Sequence, residues 1–192
     1  MATKETILSN LRKNVREKYE KPDLSFAKLK FDDPVAQFIK TATTSAGASV
    51  VEMKDGENIN DLIRRAYPNA KVITSNVPGV KADRNPDETE KPQALDGTDV
   101  TVVEGTIACA ENACVWIPQT MKQRAEIFIC EYLVIIVDRK NIVSNMHEAY
   151  TMIEMPEMGF GAFISGPSKT ADIEQALVYG AQSFCGVTII LR

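Results

Sequence analysis

The run Tyr132-Leu133-Val134-Ile135-Ile136-Val137 holds six hydrophobic residues in a row with no polar alternation. A strand with one face in water alternates apolar and polar residues, so this unbroken run predicts a strand covered on both faces. Cover on both faces requires layers, and the neighbouring segments supply them. Ala48 to Met53 reads as a short strand, Asn58 to Tyr67 as a helix with Ile59, Leu62 and Ile63 on one side, and Lys71 to Thr74 as another strand. Alternating strands and helices favour a parallel sheet. The expectation is a three-layer α/β/α fold whose largely parallel sheet contains the runs near Val50, Val72, Val102, Ile135, Phe163 and Ile189. Its core should include Val134, Ile136, Phe163, Ile164, Ile173, Leu177 and Ile189.

Residues 1–47 read as a helical attachment and 48–192 as the α/β core of one domain. Ile7, Leu8, Leu11 and Val15 recur at helical spacing after Thr3, and Pro22 closes that segment. Asp32-Asp33-Pro34 is a cap with proline in the first turn, followed by the stripe Val35, Phe38, Ile39 and Ala42, ending near Gly47. Asp99 to Val103, Thr106 to Cys109 and Cys114 to Ile117 are β-rich pieces joined by the short turns Glu104-Gly105 and Glu111-Asn112. Asp138 is expected to open a helix that places Ile142, Val143, Met146, Tyr150 and Ile153 on one side before Pro156. Between Ser75 and Gly97, prolines and charges replace the pattern. That stretch reads either as a flap carrying Lys81 and Arg84 toward a substrate or as a disordered surface excursion.

Composition narrows the function. A formal charge of -4 over 192 residues, with basic and acidic residues interspersed, gives no field for a phosphate backbone, so nucleic acid is not an expected partner. No segment approaches the about 20 apolar residues of a membrane span, and the polar start Met1-Ala2-Thr3-Lys4-Glu5 lacks the apolar core of a signal peptide. The expected location is the cytoplasm. Cys109, Cys114, Cys130 and Cys185 form no Cys-x-x-Cys pair, so their spacing suggests neither zinc nor an iron-sulfur cluster, and reduced, mostly buried thiols are expected. Cys109 and Cys114 can also meet as redox partners across their turn.

Several residues carry chemistry. In Ala162-Phe163-Ile164-Ser165-Gly166-Pro167-Ser168-Lys169-Thr170 an apolar run stops at Gly-Pro and hydroxyls follow. With Ile173 and Leu177 four apart, this reads as strand, turn and helix, Ser168 or Thr170 capping the helix. Such a corner either satisfies itself or offers Gly166, Ser168, Lys169 and Thr170 to a carboxylate or phosphate. Asp172 and Glu174 complement the same helix end and compete with an anion. Glu111-Asn112 places a carboxylate and an amide in a tight turn, either as turn formers or as site residues. His147, the single histidine, is expected at the border of an apolar stripe as a partly buried structural residue, with general-base work as the other option. Lys122 and Arg124 after Trp116-Ile117-Pro118 can meet an acidic ligand or form a solvated edge.

The stretch Ile164-Ser165-Gly166-Pro167-Ser168-Lys169-Thr170-Ala171-Asp172-Ile173-Glu174, followed by Gly180-Ala181, resembles the signature of the LUD domain of lactate-utilisation protein C and its relatives. Similarity extends back to about Asp99. The resemblance implies a NagB/RpiA/CoA-transferase-like fold and a part in oxidation of L-lactate to pyruvate beside iron-sulfur and oxidoreductase partner proteins. Clusters are expected on those partners only, with no cofactor evident in this chain. Glu111 matches the family's acidic position and Asn112 is an allowed variant, while Ala113 stands where the family has glycine and Cys114 where it has a small residue. The Glu-Asn pair also resembles the catalytic Glu-Asn-Gly of fold-related CoA transferases, in which the glutamate attacks a thioester. That alternative makes Glu111 a nucleophile, with Asn112, Gly166, Ser168, Lys169 and Thr170 binding a small carboxylate, phosphate or CoA ligand.

Overall fold

The structure is a computed structural model and describes residues 3–15, 17, 19–20, 22–23, 29–157, 159–173 and 176–192. Five parallel strands make the central sheet: β1 (Ser49–Glu52), β2 (Ile73–Ser75), β3 (Val100–Glu104), β6 (Tyr132–Val137) and β11 (Gly186–Leu191), in the order β1-β11-β6-β3-β2. β6 is in the middle, with Ile135 opposite both Val103 and Ile189. Period-two geometry sends Leu133, Ile135 and Val137 to one side and Val134 and Ile136 to the other. The two sets join different core clusters. All five are buried, as the unbroken apolar run demands.

Helix α3 (Ile59–Ala66) covers the Val134 side with Leu62 and Ile63, and Asn58 caps it by accepting the Asn60 amide at 2.8 Å. On the Ile135 side lies α2 (Pro34–Thr41), capped by Asp33 and extended by a wider turn over Ala42–Ala46 that ends at Gly47 in the left-handed region, φ 74°. A second sheet shares this layer. It has the order β7-β4-β5-β8, from β4 (Ile107–Cys109), β5 (Cys114–Pro118), β7 (Ile142–Val143) and β8 (Gly161–Ile164). Gly105 marks the passage from the first sheet to the second, because a Cβ there would come within 2.3 Å of Val115 Cγ1. Phe163 therefore lies in the second sheet and not in the parallel one. It is half-buried against Trp116, ring centroids 4.9 Å apart, whereas Ile164, Val134, Ile136 and Ile189 are buried as expected.

The N-terminal helix α1 (Lys4–Asn14) forms with Thr3 as its cap, yet none of its residues is buried, and Ile7, Leu8 and Leu11 face solvent. Of the two early helices, α2 packs on the core and α1 does not.

Two further expectations are corrected. Residues after Asp138 make only a single 3-10 turn, Arg139–Asn141, since Asp138 pairs with Arg192 at 2.7 Å and β-branched Ile142-Val143 add parallel to Ala108-Cys109 of β4. The helix, α5 (Met146–Met152), starts only after Asn145, whose side chain accepts the Glu148 amide at 3.0 Å. The stretch 76–98 is fastened along its length: Asp83 accepts the Ile73 amide at 2.8 Å, Asp87 accepts the Lys122 amide at 2.8 Å, and Arg84 donates to the Asp96 carbonyl at 2.9 Å. Leu95, in a short 3-10 turn (Pro92–Leu95), is fully buried and anchors it.

Candidate functional site

The segment after Gly166-Pro167 is a β-hairpin and not a helix. Strand β9 (Lys169–Ile173) pairs antiparallel with β10 (Ala176–Tyr179), Tyr179 opposite Lys169 and Val178 opposite Thr170. The four-residue spacing of Ile173 and Leu177 suits a helix, but Thr170 and the pair Val178-Tyr179 are strand formers, and pairing satisfies the backbone that a short helix would leave open. The Ser168 amide donates to the Phe184 carbonyl at 3.2 Å, and the Ser168 carbonyl accepts the Gly180 amide at 3.0 Å. No bundle of helix-terminal amides exists there. The side chains of Asp172, Ile173, Glu174 and Leu177 lie outside the described residues.

Gly166 does need to be glycine. Its φ is 68°, and a Cβ would sit 2.0 Å from the Ala46 carbonyl oxygen. That contact lies just before β1, and the Ser168–Phe184 bond just before β11, so the turn follows the carboxyl end of β8 and sits toward the amino-terminal edge of the parallel sheet. Nearby, the exposed Lys169 ammonium donates to the Ser45 carbonyl at 3.3 Å.

The Glu111 turn joins this patch. Ser165 donates its hydroxyl to the Asn112 carbonyl at 2.6 Å. Asn112 Oδ1 accepts the Cys114 amide at 3.2 Å, fixing the chain reversal, and Ala113 adopts φ 55°, the one positive φ at a non-glycine among the described residues. Half-buried Glu111 is held by its amide, which donates to the Ser144 carbonyl at 3.1 Å, and by Oε1, which accepts the Met146 amide at 2.8 Å. Glu111 thus caps α5 together with Asn145, a role made possible because β7 pairs with β4 and brings Ser144 beside the turn. Asn112, Ser165, Gly166 and Lys169 are brought together around Ala46, whereas Ser168 and Thr170 are engaged in the hairpin.

His147 is exposed on α5 and not half-buried, because the helix begins later than its spacing suggested. Arg124 lies over the Phe160 ring at 5.0 Å, and Lys122 lines a surface cleft with Gln119 and Pro92. Cys109, Cys114 and Cys130 are buried free thiols and Cys185 is exposed. Among the described residues no group of three or more His, Cys, Asp or Glu side chains is arranged to hold a metal, and no helix is long and apolar enough to cross a membrane.

The sequence reading missed two features. At the carboxyl edge of the parallel sheet, where ligands gather in open α/β folds, Met53, Asn58, Val80, Ile136 and Arg192 line a cleft of about 360 Å³. Arg192 pairs there with Asp138 and Glu104. The signal was available in Glu104 and Asp138, each a carboxylate following an apolar strand. The second feature is Glu126 of the short helix α4 (Glu126–Ile129), fully buried, with Oε1 accepting the Thr101 hydroxyl at 2.6 Å and Oε2 without a partner. Its position in the charged stretch after Trp116 gave no sign of burial.

The comparisons agree with this architecture. No curated protein matches the chain. A solved structure described as a DUF162 family protein from Deinococcus radiodurans superposes with a TM-score of 0.64 at 16% identity, over 85% of this chain and 99% of that one, which shows a shared fold. The family model described as LUD domain matches residues 81–191, beginning well before Asp99 and taking in most of the fastened stretch as well as both halves of the candidate site. Since that match spans more than half of the sequence, the chain belongs to the LUD domain family.

Proposed function

We propose that this chain is a component of L-lactate oxidation to pyruvate, acting in the cytoplasm by contact with iron-sulfur and oxidoreductase partner proteins and carrying no cluster of its own. Membership of the LUD family, which is linked to lactate utilisation, supports this reading. The observation that favours an accessory role is the Glu111 carboxylate, whose Oε1 accepts the Met146 amide at 2.8 Å and so has a structural task as a helix cap. A nucleophile for a thioester has to face its ligand with its charge available. Asn112 and Lys169 likewise spend polar groups on Cys114 and Ser45. Deleting the gene should abolish growth on L-lactate, and affinity capture of the tagged chain from lactate-grown cells should bring down iron-sulfur proteins. Normal growth of the deletion strain together with capture of no such protein would remove the reading.

The alternative is a small-molecule or acyl-CoA binding protein or transferase in which Glu111 is the nucleophile. Asn112, Gly166, Ser168, Lys169 and Thr170 then bind a carboxylate, phosphate or CoA ester. The observation in its favour is the Ser165–Asn112 bond, which joins the two motifs into one patch. Incubation with a panel of acyl-CoAs, followed by mass spectrometry of the Glu111 peptide, separates the two. The accessory reading expects no adduct.

A further inference from the structure

Cys109 and Cys114 are register partners at the end of the β4–β5 hairpin. Directly opposed residues of an antiparallel pair have Cα atoms about 4.5–5.5 Å apart. That separation falls inside the about 4.4–6.8 Å range of a disulfide. Cys114 donates its thiol to Met146 Sδ at 3.2 Å, and both cysteine side chains are buried free thiols.

We infer that Cys109 and Cys114 form a dithiol oxidation site that takes a hydroperoxide as oxidant and closes to a disulfide across the hairpin. The Cys109 thiolate attacks the peroxide O–O bond, giving Cys109 sulfenic acid and hydroxide. The Cys114 thiolate then attacks the sulfenic sulfur, forming the S–S bond and expelling hydroxide. With the two protons originally on the thiols, the sum is two thiols and one hydrogen peroxide giving one disulfide and two waters. Cys109 is suited to the first step: its neighbour Cys114 lowers the Cys109 thiol from the ordinary value against the opposing effect of burial, while the same neighbour relation and burial raise Cys114. Both sulfurs are buried, next to a turn in which Asn112 is exposed and Glu111 half-buried, with Met146 against Cys114. Local opening of a hairpin turn admits a molecule little larger than water.

The consequence reaches the candidate site. A disulfide withdraws the Cys114 thiol from Met146, the residue whose amide Glu111 holds. Oxidation thereby acts on the turn that Ser165 ties to Gly166.

The test uses the full chain carrying Cys185→Ser, which removes the exposed thiol. The protein is treated with hydrogen peroxide, denatured, alkylated and digested. The peptide holding both cysteines should lose two hydrogens and take no alkyl group, and dithiothreitol should restore two alkylation sites while Cys130 stays alkylated throughout. With Cys109→Ser added, Cys114 should remain fully alkylated. With Cys114→Ser, Cys109 should stop at a sulfenic acid that dimedone traps. Full alkylation of both residues, under peroxide that oxidises Cys185 in the parent chain, overturns the inference. Conversion of Cys109 to a sulfinic acid without any disulfide overturns it as well.

Discussion

The Ser165 hydroxyl donates to the Asn112 carbonyl at 2.6 Å across 53 positions of sequence. Through that bond the turn after β8 and the turn before β5 become one surface, with Gly166 packed on Ala46 beneath it. Ser165→Ala removes one exposed hydrogen bond and should cost about 0.5–1.5 kcal/mol. Gly166→Ala combines a positive φ with a 2.0 Å clash against backbone and should cost about 2–4 kcal/mol. Denaturant unfolding of both variants checks the ranking, and a Gly166→Ala loss no larger than that of Ser165→Ala would show that the turn is not held by Ala46.

Ala113 at φ 55° stands where the family has glycine. The left-handed conformation costs an L-residue about 1–2 kcal/mol, and glycine gives back about 0.5–1 kcal/mol in chain entropy. Ala113→Gly should therefore raise stability by about 0.5–1 kcal/mol. A loss in the same denaturant assay would mean that the methyl group, buried in the core cluster, contributes more than the strain costs.

Ile136 is buried on the α3 side of the central strand. Its replacement by Ala should cost about 2–5 kcal/mol, read as a fall in unfolding free energy. A cost under about 1 kcal/mol would be incompatible with a fixed place between β11 and β3.

Burial pushes the Glu126 carboxyl above its ordinary value, against weaker opposing effects of Thr101, Thr98, Thr74 and Arg84. The unfolded carboxyl titrates near about 4.3. The folded state holds the proton more tightly, so this contribution to stability is fully present below that pH and is lost as pH rises through the higher folded value. Glu126→Gln keeps an acceptor for Thr101 and removes the titration. It should raise the melting temperature at pH 7 and flatten the decline in stability above pH about 4.3. A variant less stable than the parent at pH 7, with the pH slope intact, would refute the assignment.

Legibility followed the kind of signal each residue carried. Strand β6 and helix α3 were readable because their periods are unambiguous and their faces are buried. The hairpin after Gly166 was not, since two apolar residues four apart suit a helix until Phe184 and Gly180 bond Ser168 from positions distant in sequence. The start of α5 was misread for a similar reason: Ile142-Val143 fit a helical stripe and a strand equally, and the pairing with β4 decides. Glu111 was singled out correctly as a residue held in a tight turn. Its hydrogen bond to Met146 depends on contact between segments 35 positions apart, which no local pattern encodes.

On the proposed reading Glu111 is a helix cap in an accessory protein of lactate oxidation. Glu111→Gln tests it most directly, because the amide oxygen can still accept the Met146 amide while the nucleophilic carboxylate is gone. In a strain lacking the gene, growth on L-lactate should be restored equally by the parent chain and by Glu111→Gln, and not by an empty vector. Failure of Glu111→Gln to restore growth at an unchanged protein level would contradict the account and return Glu111 to catalysis.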